Sequence, residues 1–217
     1  MTPDLFDAPE LRQCWAEPLA PGAQVLRGFA LGDEAALLSA LGAVIAEAPL
    51  RHMVTPGGFE MSVAMTNCGR LGWVSDRRGY RYDERDPTCD LAWPALPAAF
   101  LGLALRAAGA AGFQGFVPDA CLVNQYEPGT RLSLHQDRNE RDHAAPIVSV
   151  SLGLPAVFLF GGDERSDKAA RVPLAHGDVV VWGGAARLRY HGVLPLKEGL
   201  HPLLGRRRIN ITLRRAG

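Results

Sequence analysis

Cysteine is scarce in this chain, and the four present, Cys14, Cys68, Cys89 and Cys121, stand far apart with no CxxC pair. That argues against a zinc ribbon and against a disulfide framework, and it fits a reducing, cytoplasmic compartment. Excess charge is lacking too: 23 basic side chains face 23 acidic ones, so no global field draws in nucleic acid and any such binding must use local patches. Long hydrophobic runs are missing. The acidic start "MTPDLFDAPELRQCW" has no apolar core, and the most apolar later stretch, "AAFLGLALRAAGAAG", is interrupted by Arg106, so neither a secretion leader nor a membrane span is expected. The chain also has no G-x-S-x-G, no P-loop and no dinucleotide fingerprint, which leaves hydrolase and nucleotide-driven chemistry without a foothold.

What is present suits one globular domain over residues 1–217: 47% apolar and 21% charged residues, with no internal repeat and no linker. Helices come early. "GDEAALLSALGAVIAEAP" puts Leu37, Leu38, Leu41, Val44 and Ile45 on one face, with Asp33 near the N-cap and Pro49 closing it. "LPAAFLGLALRAAGAAG" reads as a second helix, with Pro97 in its first turn and Gly109 or Gly112 at its end. Both are expected to buttress a sheet. Between them, residues 53–82 mix short β-like pieces with Gly and Pro and carry many large side chains. From Phe116 onward come short strands, "ACLVNQY", "RLSLHQD", "PIVSVSL", "AVFLF", "DVVVWGG", "LRYHGV" and "RINITLR", spaced as in an antiparallel barrel or jelly roll.

Chemistry enters with "RLSLHQD". Strand alternation puts Leu132 and Leu134 on one face and Ser133, His135 and Asp137 on the other. If the turn "EPGT" closes a simple hairpin with "ACLVNQY", Tyr126 opposes Arg131, Asn124 opposes Ser133, and both join the polar face. Alone, the His135–Asp137 pair is as readily a polar strand end as a metal site. A second H-x-D, His176 and Asp178, flanks a glycine before an apolar run and reads as turn chemistry. His191 in "RYHGV" supplies a third ligand, whereas His52, His143 and His201 sit in loop-like surroundings. Two imidazoles and one carboxylate make the facial triad of a non-haem Fe(II) oxygenase.

That reading asks for an anion site, and the last strand offers one. In "RRRINITLRR", Arg208, Asn210, Thr212 and Arg214 alternate with Ile209, Ile211 and Leu213. An amphipathic edge strand with a solvated basic face would look the same. As a clamp, the two arginine α-carbons are roughly 20 Å apart, and arms leaning inward would leave a gap on the order of a short dicarboxylate.

Taken together, "NQY", "LSLHQD", "YHGV" and the R-x-N-x-T-x-R strand resemble the AlkB family of Fe(II)/2-oxoglutarate dioxygenases. The resemblance extends over "MVTPGGFEMSVAMTNCGRLGW" and "PIVSVSLGLPAVFLFGG", almost the whole chain. It implies an α+β, mainly β fold: a double-stranded β-helix (jelly roll) core over about 113–217, supporting N-terminal helices, and a nucleotide-recognition lid over about 50–92. It implies that His135, Asp137 and His191 bind Fe(II) and carry catalysis. Arg208 would hold the distal carboxylate of 2-oxoglutarate, with Arg214, Asn124, Tyr126 and Asn210 completing that pocket. Trp73 would stack on a flipped methylated base opposite His135, with Thr55, Met61, Tyr80 and Arg165 lining the path of base or backbone. On sequence setting alone, Trp73 and Met61 would be core residues. The implied reaction uses O2 to hydroxylate the N-methyl group of 1-methyladenine or 3-methylcytosine in DNA and RNA. Formaldehyde leaves the repaired base, and succinate and CO2 are coproducts. A monomer with no membrane partner is expected. Tyr80 with Arg77, Arg78 and Arg81 would meet phosphates at the rim, or form a solvated basic loop.

One position departs from the family pattern. Where an acidic residue is expected two places after the iron aspartate, this chain has Asn139, facing the exocyclic amine of the base. An amide accepts that hydrogen bond without bringing negative charge to a cationic lesion, so an altered preference among methylated bases is expected. Two rivals stay open: an oxygenase of the same fold with an RNA, protein or small-molecule substrate, and a non-catalytic barrel that binds damaged nucleic acid.

Overall fold

The computed structural model describes residues 15–217, so Cys14 and the acidic start of the chain lie outside the described residues. The chain opens with the hairpin β1 (Trp15–Ala20) and β2 (Ala23–Arg27), then helix α1 (Glu34–Glu47). Next come β3 (Arg51–Val54), β4 (Glu60–Gly69), β5 (Gly72–Asp76), β6 (Gly79–Asp83) and helix α2 (Ala98–Ala110). The remaining strands are β7 (Ala120–Tyr126), β8 (Leu132–His135), β9 (Ile147–Gly153), β10 (Ala156–Phe160), β11 (Ala170–Leu174), β12 (Val179–Trp182), β13 (His191–Val193) and β14 (Arg208–Arg214). Eight strands form one sheet in the order β1-β2-β12-β9-β14-β7-β4-β3, and four form a second in the order β11-β10-β13-β8. The two sheets form a jelly roll, mostly β with two supporting helices.

Period-2 alternation decides what each face of the large sheet does. On β14, Ile209, Ile211 and Leu213 point outward with Val148, Val150 and Leu152 of β9 and Cys121 and Val123 of β7. The two helices cover that face with Leu37, Leu41, Val44, Phe100, Leu103, Ala104 and Ala107. Leu38 and Ile45 pack at its margin, as the helical spacing expects. Each fully buried leucine or isoleucine here contributes about 1.5–3 kcal/mol. The other face of β14 presents Arg208, Asn210, Thr212 and Arg214 to the space between the sheets, beside Leu122, Asn124 and Tyr126 of β7. A second core, including Val180 and Trp182 from the large sheet and Phe158, Phe160, Val172 and Val193 from the small one, closes that space.

Asp33 takes the N-cap position of α1, but its side chain caps no backbone N–H. It pairs instead with Arg106 of α2 at 2.6 Å, which fastens the two helices together. Pro97 precedes α2 and Gly112, in the left-handed region at φ +87°, follows it.

The hairpin expected between β7 and β8 does not form. Both edges of β7 are taken, by β14 and by β4, so β8 has nowhere to add and pairs with β13 in the other sheet. The turn "EPGT" carries the chain from one sheet to the other, with Gly129 and Thr130 bonded to the backbone of Leu196. Asn124 and Tyr126 still face His135 and Asp137, but across the cavity. The sequence pattern also leaves β1, β2 and β11 unmarked. β1 and β11 carry Pro18 and Pro173 and lie at sheet edges, where a missing N–H is tolerated.

Within residues 50–92, β3 and β4 continue the large sheet, and β5 and β6 stand apart as a two-stranded sheet. Buried Asn67 on β4 fixes this hairpin. Its amide accepts from the Trp73 N–H at 2.9 Å and donates to the Trp73 carbonyl at 3.0 Å, while Ser75 donates to the Val54 carbonyl at 2.7 Å.

Candidate active site

A cavity of about 630 Å³ opens between the two sheets. His135 ends β8 and His191 begins β13, and the two are direct partners in the ladder, with ring centroids 4.4 Å apart. Gly192 permits that approach, because a Cβ there would sit 2.7 Å from the Leu132 carbonyl oxygen. Asp137 follows just beyond the strand, with its carboxylate oxygens 3.6 Å from His135 Nε2 and 3.8 Å from His191 Nε2. One donor atom from each of the three lies within 4.8 Å of the others.

The tautomers follow from the partners. His135 Nδ1 lies 2.9 Å from the Ser133 carbonyl and His191 Nδ1 lies 3.0 Å from the Arg189 carbonyl. A carbonyl only accepts, so each Nδ1 carries a proton and each Nε2 faces the shared space. Burial and the neighbouring His135 push His191 down to about 4, so it is neutral at pH 7 and able to ligate. Burial alone would raise Asp137, but the Arg214 guanidinium outweighs it and holds the carboxylate ionised. Two imidazoles and a carboxylate form an open-sided set suited to Fe(II).

The arginines of β14 divide the work unequally. Arg214 donates from Nε and Nη2 to Asp137 Oδ2 at 2.8 and 2.6 Å, so its guanidinium braces the triad and is not a free arm of a symmetric clamp. Arg208 is the free arm. Its Nη2 donates to Ser151 at 2.9 Å, its cation lies 4.9 Å from the centre of the Tyr126 ring, and its buried Nε and Nη1 complete no hydrogen bond among the described residues. Two buried cationic N–H groups left open cost free energy unless something accepts from them, and a carboxylate does so in fork geometry. Asn124, Tyr126 and Asn210 line the same space, Asn210 being held by Ser149 and the Val150 carbonyl. Burial pushes the Tyr126 phenol up, so it stays a donor.

Toward the mouth, Thr55, Met61, Trp73, Tyr80, Asn139 and Arg165 all line the cavity with His135. Trp73 and Tyr80 stack on each other at 5.6 Å and 14°, presenting aromatic surface. Trp73 Nε1 donates to Asn139 Oδ1 at 3.3 Å, and Arg165 donates to the Leu134 carbonyl at 2.6 Å. The rim arginines are not equivalent. Asp76 engages Arg78 at 3.3 Å and Arg81 at 3.0 Å, whereas exposed Arg77 takes part in no ion pair among the described residues.

His176 and Asp178 stay outside the site. Asp178 accepts from Arg27 and from the N–H groups of Gly28 and Ala175, and His176 accepts from the Gly153 N–H and meets Glu34, so the pair anchors a turn. Sequence reasoning missed Tyr82, Glu140 and Arg187. Glu140 lies in the charge run "DRNERD", which looks solvated, and no strand period continues there to reveal its burial.

The family model of the 2OG-Fe(II) oxygenase superfamily matches residues 22–214. The chain belongs to that superfamily, and within it to the AlkB dioxygenases. It is 60% identical over 202 residues to the alpha-ketoglutarate-dependent dioxygenase AlkB of Salmonella typhimurium, covering 93% of this chain and 94% of that protein. A mouse relative, nucleic acid dioxygenase ALKBH1, is 36% identical over 133 residues, 60% of this chain and 34% of the mouse protein. The solved structure of OsALKBH1 superposes with a TM-score of 0.80 at 27% identity, over 93% of this chain and all of that one. This AlkB-type dioxygenase uses Fe(II), 2-oxoglutarate and O2, and the histidine–aspartate set and the open Arg208 nitrogens fit the metal and the cosubstrate.

Proposed function

We propose that this protein removes methyl groups from N-alkylated nucleic-acid bases by oxidation, with 1-methyladenine and 3-methylcytosine in DNA and RNA as substrates. The observation that carries the reading is one cavity holding the His135–Asp137–His191 set at its floor and the stacked Trp73 and Tyr80 at its mouth. Enzymes that act on a nucleobase take the base out of its stack and hold it between aromatic or apolar faces. The name of the mouse relative points the same way.

In this reading His135, Asp137 and His191 hold the iron. Arg208 takes the distal carboxylate of 2-oxoglutarate, and Arg214, Asn124, Tyr126 and Asn210 shape that pocket. When bound, iron and 2-oxoglutarate together supply the oxidising power of O2, one oxygen atom going to the substrate methyl and the other to succinate as CO2 is lost. The C–N bond of the N-hydroxymethyl group then breaks: its electron pair returns to the ring nitrogen of the cationic base, the group leaves as formaldehyde, and the hydroxyl proton is released. The protein's own share is placement. Trp73 offers the stacking face, Met61, Thr55 and Tyr80 enclose the base, and Asn139 and Arg165 set the polar edge. Exposed Arg77 is the rim cation best placed to meet a phosphate, since Asp76 occupies Arg78 and Arg81.

In this reading the enzyme works as a monomer in a reducing cytoplasm, which suits the free, buried thiols of Cys68 and Cys121. Formaldehyde release from a 3-methylcytosine oligonucleotide with Fe(II), 2-oxoglutarate and ascorbate tests the reading. Succinate formed without formaldehyde would keep the oxygenase and move it to another substrate.

A further inference from the structure

The iron carboxylate is tied to the base-facing hairpin by a short chain of side chains. Tyr82 lies on β6, in the hairpin that brings Trp73 and Tyr80 to the cavity. Its hydroxyl donates to Glu140 Oε1 at 2.6 Å. Glu140, whose side chain is only 2% exposed, also meets Arg214 Nε at 3.3 Å and Arg187 Nη2 at 3.2 Å. Both arginines then converge on Asp137. Arg214 holds its carboxylate at 2.6 Å, and Arg187 donates from Nη1 to its backbone carbonyl at 2.7 Å and from Nε to the Ala145 carbonyl at 3.1 Å.

Two arginines and two carboxylates here make a buried, charge-balanced group. Removing one member of such a group leaves another charge unpaired in low dielectric, which is costly, so the four hold one another in place. The segment from Gln136 to Pro146 has no helix or strand, and these side chains do for it what a hydrogen-bond ladder does elsewhere. Partners standing behind a metal ligand fix its orientation and its grip on the metal. Tyr82 adds a contact from the opposite wall. Desolvation pushes its phenol well above the ordinary range, with Arg214 opposing, so it remains a protonated donor.

We infer that Tyr82 and Glu140 are positioning residues that tie the base-facing hairpin to Asp137, so that the seating of the hairpin and the grip on the metal are coupled. The metal half stands on the geometry of the triad. The substrate half rests on the reading that a base lies against Trp73 and Tyr80.

The test uses the full chain with Mn(II) and 2-oxoglutarate, and the substitution Tyr82→Phe, which removes one hydroxyl and keeps the ring. We expect Mn(II) binding about tenfold weaker, and up to about a hundredfold weaker in Glu140→Gln. The unfolding temperature of metal-free Tyr82→Phe should stay within about 4 °C of the natural protein. If Glu140→Gln does not fold, Tyr82→Phe carries the test. Unchanged Mn(II) affinity in Tyr82→Phe overturns the positioning role. For coupling, a 3-methylcytosine oligonucleotide should tighten Mn(II) binding about fivefold in the natural protein and markedly less in Tyr82→Phe. Equal tightening in both, or none in a natural protein that releases formaldehyde, overturns the coupling. No tightening together with no formaldehyde counts against the substrate reading, and the Mn(II) comparison made without nucleic acid still decides the metal half.

Discussion

The two walls of the cavity are built by different rules. The wall proposed to hold the cosubstrate is β14, paired on both sides by β7 and β9, with apolar residues alternating outward and Arg208, Asn210, Thr212 and Arg214 inward. Its side chains are set by a strand that cannot shift register without exposing Ile209, Ile211 and Leu213. The wall proposed to meet the substrate is the β5–β6 hairpin, a sheet of two strands tied by Asn67, Ser75 and Tyr82. A two-stranded hairpin has little stability of its own, so these polar ties and the packing of Val74 against Ala48 and Trp93 decide where Trp73 and Tyr80 lie. One wall is rigid because of its ladder, and the other can be retuned by single side chains. That division suits an enzyme whose cosubstrate is constant and whose base varies.

Substitutions on each wall should therefore separate cleanly. The largest effect falls on the rigid wall: Arg208→Met strips a buried charge of its role, and we expect the KM for 2-oxoglutarate to rise about a hundredfold, near 3 kcal/mol. A change under threefold would remove Arg208 as the anchor. On the other wall, Trp73→Ala should raise the KM for a methylated oligonucleotide by about 1–3 kcal/mol worth of stacking while leaving the KM for 2-oxoglutarate unchanged. If both constants move together, the walls are not independent. Asn67→Ala releases both main-chain bonds of Trp73 and leaves them unpaired, so the same oligonucleotide KM should rise with about 1–3 kcal/mol lost from stability in thermal unfolding. The smallest effect belongs to Asn139→Asp. It should shift the turnover ratio of 1-methyladenine to 3-methylcytosine by about 1 kcal/mol or less, and an unchanged ratio would count against a role for residue 139 in base choice.

The same division explains what could be read from the chain. Strand alternation in "RINITLR" gives the inward face of β14, because a period of two states which side chains share a face, and "YHGV" supplies the third ligand. On β8 the alternation fails, since a register shift against β13 sets Leu132 opposite Val193 in the core between the sheets and leaves Ser133 exposed. Pairing is not local information. The hairpin from "ACLVNQY" to "RLSLHQD" looked sound and failed because β4 and β14 already flank β7. On the substrate wall, Trp73 and Met61 have the sequence setting of core residues, and only the family resemblance marked them. Glu140 and Arg187 were invisible for a third reason: they sit in irregular backbone, where charge reads as solvation and burial leaves no pattern.

In the proposed reading, the His135–Asp137–His191 set oxidises a methyl group held against the hairpin wall. Formaldehyde released from a 3-methylcytosine oligonucleotide, with Fe(II), 2-oxoglutarate and ascorbate, measures it directly when the natural protein is run beside Asp137→Ala. We expect steady release from the natural protein and none above background from Asp137→Ala. Equal release from both would contradict the assignment of the triad, and release from neither would contradict the assignment of the substrate.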